Sequence, residues 1–511
     1  MMSDIVVHFP LLSIITCLVS AVLCSLLNGK KARVIFFSCL GVCLLAGVAV
    51  LAYVWQNGTI VYQMGHLTQD EAVKYYWFNN VIRFGVPEGV FVTLYPLVMM
   101  LSLMGGADAL ERDISSDKMR FYYVLTSLSL TSLIAMTYAD DSFTGYVFLE
   151  ICTLTSIGLV AVRERGHTTV AAIRYMIFNL VGSGLYLIGI VLLYDLTGYF
   201  MMEKIHEVLL VHGITTAAMC ALALITIGLG IKSGLFPFYF WMADTYGEST
   251  VASAGIISGL VSKGYIVLLM KYLVRVFGFA AGDAPGLTEL THVTDILFWL
   301  GVGGMLFGSV AALMEKRINK MLAYSSAAQI GYIYLALGLG GIGFPAALLQ
   351  ILTHAVTKPL LFVFARALAD ASGGRPQFAH LRGSGRRNTM AGLGFTVGAL
   401  SMIGFPGLAG FMVKYRYVEM ALDTGIPKVR LIVTVAALVI STLLNTMYMI
   451  RTVMTVYAPA NGEEPKDGRV RPRADFTVAT VLFILLNLAV GMLPAVDTLL
   501  DRAAALMGNI I

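Results

Sequence analysis

Runs of about 20 apolar residues, separated by short polar stretches, recur from one end of the chain to the other. That is the length at which a helix crosses a ~30 Å hydrocarbon layer. The pattern predicts helices at 5–27, 33–55, 87–104, 121–139, 142–162, 170–194, 214–241, 251–274, 294–313, 321–341, 343–365, 389–422, 431–450 and 475–498. The expected fold is therefore an all-α membrane protein with 14 transmembrane spans. The longest polar stretches, 56–86 and 456–474, are too small for a soluble domain. The opening run, Met1 to Leu27, carries Asp4, lacks a basic leader and is too long for a signal peptide, so it reads as an uncleaved first span.

Composition sharpens this picture. Apolar residues make up 58% of the chain and charged residues 13%, against about 45–50% and 25% in soluble domains. The 51 glycines suit helices that pack closely inside a bilayer. A net charge of +5, without a basic patch interleaved with aromatics, excludes nucleic acid as a partner. The six cysteines (Cys17, Cys24, Cys39, Cys43, Cys152, Cys220) all lie in apolar runs and form no C-x-x-C pair. They read as packing residues rather than metal ligands or a disulfide framework. There is also no glycine-rich strand–helix motif. No cofactor is expected, and any redox chemistry falls to partner subunits.

Basic residues set the orientation. Loops after odd-numbered spans hold 22 of the 35 lysines and arginines, and the opposite loops hold 9. The basic side should be cytoplasmic, which puts both termini on the other side of a prokaryotic plasma membrane. Four lysines fit neither side: Lys232, Lys263, Lys358 and Lys414 lie within predicted spans. Glu150 joins them, nine residues from Asp141 and thirteen from Arg163. His354 stands four residues before Lys358, on the same helix face. A charge at mid-membrane costs at least ~2.5–3.5 kcal/mol, so groups at that depth need a reason.

One reason is structural: paired struts between helices, a neutral histidine bonded to a neighbour, or, for Lys414 beside Arg416, an interface anchor. The other is functional. Burial disfavours an ammonium charge and a nearby carboxylate restores it, so a line of such groups can pass protons without a cofactor. Two interrupted helices favour the functional reading. Span seven runs Gly230-Ile-Lys232-Ser-Gly-Leu-Phe236-Pro237, and span twelve runs Gly404-Phe405-Pro406-Gly407-Leu-Ala-Gly410-Phe-Met-Val-Lys414. Proline removes a backbone donor, and freed backbone at membrane depth is tolerated only beside protein or water. Two Phe-Pro breaks five spans apart, each near a buried lysine, suggest repeated transporter halves.

These residues resemble a known family. Gly230 to Lys271 is similar to the seventh-to-eighth helix signature of the antiporter-like subunits of respiratory complex I, shared with Mrp cation/proton antiporters and membrane-bound hydrogenases. Phe148-Leu-Glu150, Leu322-Ala-Tyr-Ser-Ser-Ala-Ala-Gln329-Ile-Gly331-Tyr332 and His354-Ala-Val-Thr-Lys358-Pro-Leu-Leu-Phe362 match further, and the resemblance covers about 87 to 450. Length and the 120–200 segment look most like the D-type Mrp subunit. The resemblance implies N-terminal helices in 1–110, inverted five-helix repeats in 111–280 and 281–455, and a linker with the last helix in 456–511. It also implies a hydrated central axis. Glu150 and Lys232 would be the first-half charge pair and Lys263 the connector. His354 and Lys358 would continue the axis, and Lys414 would end it. The family usually has histidine where Tyr239 stands, and some members have it at Ser258 or Gln350. Implied partners are other membrane subunits, antiporter-like and small ones among them, together with the bilayer. Protons are the expected cargo, with sodium as an alternative. Two competing classes are a stand-alone solute carrier and a structural membrane subunit.

Overall fold

The structure, a computed structural model, describes residues 5–63, 81–279, 287–422, 426–459 and 470–508. In chain order the principal helices are α1 (Phe9–Leu26), α2 (Gly29–Asn57), α3 (Val86–Gly105), α4 (Ala107–Asp113), α5 (Met119–Tyr138), α6 (Ser142–Ala161), α7 (Gly166–Thr197), α8 (Met202–His212), α9 (Thr216–Ser233) and α10 (Phe240–Glu248). There follow α11 (Val251–Val276), α12 (Leu287–Met314), α13 (Ile318–Leu337), α14 (Phe344–Asp370), α15 (Thr389–Ile403), α16 (Ala409–Ala421), α17 (Lys428–Tyr457), α18 (Ala474–Met492) and α19 (Pro494–Gly508). The chain is a multi-pass, helical membrane protein. Among the described residues, 12 helices are long and apolar enough to cross a bilayer. Two predicted spans fall outside that set for separate reasons. The α13 helix has 20 residues but carries Lys320, Ser325, Ser326 and Gln329. Span twelve is divided between α15 and α16.

Three features lie beyond the predicted pattern. A two-stranded antiparallel ribbon pairs β1 (Ile60–Gln63) with β2 (Val81–Phe84). The short α8 buries Met202, Ile205, His206 and Leu209, a one-sided stripe. The α19 helix is tied to α16 by Arg416, which reaches Asp501 at 2.8 Å and Asp497 at 3.5 Å.

The most internal helices are α11 and α14, whose membrane windows are wholly buried, whereas α1 and α2 bury 39% and 33%. The two central helices cross where Gly255 and Gly259 meet Pro359; a methyl group on Gly259 would lie 2.8 Å from the proline ring. With no side chain at the crossing, the helices carrying Lys263 and Lys358 approach closely. Gly182 serves the α7–α9 pair similarly, since a methyl there would sit 3.1 Å from Cγ of Lys232.

The two breaks share one geometry. Gly234 ends α9 with φ +85° and Gly404 ends α15 with φ +94°, a conformation that favours glycine. The next amide donates five residues back in each case, Leu235 to Gly230 at 2.8 Å and Phe405 to Leu400 at 3.0 Å. The lysines do not share that likeness. Lys232 precedes its break in α9, while Lys414 follows its break in α16. What matches between the two breaks is the backbone turn.

Candidate functional site

The line of polar groups begins on α6. The Lys232 ammonium is fully buried and lies 3.9 Å from Oε1 of Glu150, too far for a hydrogen bond. Instead it donates to Oγ1 of Thr153 at 2.7 Å. That hydroxyl gives its own proton to the Leu149 carbonyl at 2.8 Å. It therefore accepts from both Lys232 and the Tyr265 hydroxyl, which is 3.1 Å away. The Tyr265 ring also faces Lys232, its centroid 5.5 Å from Nζ.

The Oε1 atom of Glu150 is enclosed, while 27% of the side chain is exposed on the flank of the isolated chain. The reason is that α6 runs along the rim, with only 44% of its window buried.

The middle of the line is closed. Lys232, Lys263, His354 and Lys358 are each at most 1% exposed. Nζ of Lys263 returns 2.7 Å to the Ser258 carbonyl on its own helix, beside a widened π-helical turn at Ile257–Val261. Such turns free backbone groups for other partners. The Ser258 hydroxyl meets that of Ser326 at 3.0 Å, and Ser326 donates to the Leu322 carbonyl at 3.0 Å. The same carbonyl accepts from Lys358 at 3.2 Å, and Lys358 also reaches Ser325 at 2.8 Å. Lys263 and Lys358 are thus linked through the neutral groups of three residues, Ser258 on α11 and Ser326 and Leu322 on α13. Ser258, one of the positions where family members can carry histidine, is the joint.

Beyond Lys358 the partners thin out. Neither ring nitrogen of His354 has a hydrogen-bond partner, nor do the hydroxyls of Thr353 and Tyr332. These groups surround a cavity of ≈ 10 Å³ that His354, Ser401 and Lys414 also line, a volume at the lower limit for one water. Gln350 donates to Gln329 at 2.7 Å on its wall. Lys414 donates to the Ile403 carbonyl released at the second break. It is partly buried, beside the exposed Phe405 and Pro406. Among the described residues, no carboxylate pairs with Lys263, Lys358 or Lys414. At the first break the Ile231 carbonyl is capped by Trp241 at 3.2 Å, and Pro237 is exposed. Tyr239 packs against Phe236 and Tyr324 rather than joining the line.

Sequence reasoning missed a second buried group of charges. Lys271, Arg275 and Arg83 were counted as loop residues, yet they are 1%, 6% and 9% exposed. Lys271 donates to the carbonyls of Thr137 and Ala139. Arg275 grips Asp140 with both terminal nitrogens. The signal was present, because the apolar run beginning at Val251 continues past both residues to Phe277.

Residues 139–442 match the family described as NADH:quinone oxidoreductase/Mrp antiporter, transmembrane. The chain belongs to that family. NADH-quinone oxidoreductase subunit N of Desulforudis audaxviator is 34% identical over 66% of this chain and 64% of its own length, so the match leaves about a third of that relative uncovered. Subunit N 2 of Opitutus terrae is 25% identical over 94% of this chain and 93% of its own. In fold, the family member resembles chains of two solved complexes. The archaeal membrane-bound sulfane sulfur reductase gives a TM-score of 0.83 at 22% identity, covering 99% of this chain and 98% of that one. The Mrp complex from Dietzia sp. gives 0.84 at 22% identity, with the same coverage. Both structures are of complexes, the first an archaeal respiratory membrane complex.

Proposed function

We propose that this chain is the proton-translocating membrane subunit of a multi-subunit complex, either a translocating oxidoreductase (a hydrogenase among them) or an Mrp-type antiporter. The observation that carries this reading is the arrangement of the line: four ionisable groups sealed at 1% exposure or less, between Glu150 and Lys414, which both reach the surface. Glu150 exchanges protons at one end and sets the charge of Lys232. Lys263 and Lys358 feel each other's charge across the Ser258–Ser326 contact. His354 and the cavity beside it carry the proton to Lys414, which releases it at the second break. The exposed flank of Glu150 suits coverage by an adjoining membrane subunit.

The matching backbone turns at Gly234 and Gly404 support two inverted five-helix repeats within a 14-span chain. The basic loops support a prokaryotic plasma membrane with both termini outside. Labelling of cysteines placed at Arg386 and Glu203 from opposite faces of intact cells tests that orientation; labelling from one face rejects it. Sodium remains the alternative coupled ion. A solute carrier is disfavoured because the axis cavity measures ≈ 10 Å³, too small for an organic solute. Reconstituted complexes carrying Glu150→Gln or Lys232→Ala test the function. Assembly with loss of pumping is expected, and wild-type pumping in both rejects it.

A further inference from the structure

The first two helices hold a constellation that the translocation line does not use. Sγ of Cys17 on α1 lies 3.3 Å from that of Cys43 and 3.8 Å from that of Cys39, both on α2. The three sulfurs all fall within 4.8 Å of one another. They are 0%, 0% and 5% exposed for Cys17, Cys43 and Cys39. Cys39 and Cys43 stand one turn apart, so both face α1. The Ser20 hydroxyl, 3% exposed, lies against Cys39 and Cys24. Sequence spacing concealed the group because its members come from two helices.

We propose that Cys17, Cys39 and Cys43 bind one soft monovalent metal ion of the copper(I) class. Metal–sulfur bonds of ~2.3 Å hold ligand sulfurs roughly 3.8–4.0 Å apart around one ion. The observed separations need only small adjustment to reach this. Sulfur donors select soft ions over hard ones. Structural zinc takes four ligands, whereas three converge here, with no fourth histidine, cysteine or carboxylate of the described residues in the group. Each sulfur that ligates the ion does so as a thiolate and releases its proton to solvent; no electron changes hands.

The test uses the assembled complex in detergent, in a Cys220→Ser background that removes the exposed thiol. Copper(I), held reduced, and silver(I), as a redox-inert probe, are titrated in. Bound metal is counted after desalting, and thiolate-to-metal absorption is followed in the ultraviolet. One ion per chain is expected, with an absorption band on binding. Cys17→Ser and Cys43→Ser should each weaken binding at least about tenfold, whereas Cys152→Ser leaves it unchanged. A Cys43→Ala variant that still assembles and pumps shows that the fold survives. No retained ion in the parent, or equal retention in Cys43→Ser, overturns the proposal. So does equal loss in Cys152→Ser.

Discussion

The two halves of the polar line hold their cations by different means. In the first half Lys232 has a hydroxyl at 2.7 Å and a carboxylate at 3.9 Å. In the second, Lys358 rests on a carbonyl and a hydroxyl, Lys414 on a carbonyl, and His354 on nothing but a small cavity. A carboxylate can take or lose a proton and so change the charge that its neighbour prefers. A carbonyl cannot. On the proposed reading, the first half switches and the second receives, its cations depending on what enters from Lys263 and on hydration beside His354.

The sharpest break of this comparison is at the switch. Lys232→Ala removes the one sealed cation of the line with an acidic neighbour, and pumping should fall on the order of a hundredfold, as losses of proton-transfer groups do. Glu150→Gln should come close to it. Assembly of both variants, measured by co-purification, should be unchanged because Glu150 is partly exposed and Thr153 remains. If Glu150→Gln pumps normally, the two halves do not differ in the way described.

A second break concerns Lys414. Arginine keeps the charge but holds its proton far more tightly than lysine does. Lys414→Arg should assemble and pump at about a tenth of the normal rate or less, a cost of ~1.4 kcal/mol in barrier height. An interface anchor would accept arginine without loss, so normal pumping by reconstituted Lys414→Arg reduces this residue to that role.

How much of this was legible in the sequence follows from what a bilayer encodes. Span positions were legible because each long apolar run must close its hydrogen bonds within one helix. The ionisable residues stood out for their cost. Which helix faces turn inward was not legible, because lipid-facing and protein-facing sides are both apolar. That is why the exposed flanks of Glu150 and Lys414 do not show in the pattern. It is also why Lys271 and Arg275, near a helix end, read as loop residues. The Cys17, Cys39 and Cys43 group and the Ser258–Ser326 contact join residues from separate helices, and no spacing along the chain announces either.

A third test sharpens the comparison by widening the cavity of the receiving half. Gln350→Ala removes the bond to Gln329 and enlarges a space of ≈ 10 Å³. With room for further water beside His354, pumping should change by less than about threefold, because added water can stand in for the lost amide. His354→Ala, by contrast, should slow it about tenfold or more if the ring itself carries protons. Equal, small effects of both would assign the passage to water alone.

The effect expected at the joint between the halves discriminates most finely. Ser258 and Ser326 meet at 3.0 Å, and nothing else described connects Lys263 to the Leu322 carbonyl that Lys358 shares. Ser258→Ala leaves the Ser258 carbonyl, and so the Lys263 bond, in place. It removes one neutral hydrogen bond worth about 0.5–1.5 kcal/mol, which corresponds to a slowing of about two- to tenfold. Ser326→Ala removes the same bond and also the donation to Leu322. If the two hydroxyls act as one link, the double variant should pump no slower than Ser326→Ala alone, giving a coupling energy near the whole effect of Ser258→Ala. Thermal unfolding midpoints of the four proteins separate a stability loss from a transport loss. Strictly additive slowing would mean that charge is felt between the halves by another route, and that the two serines merely pack α11 against α13.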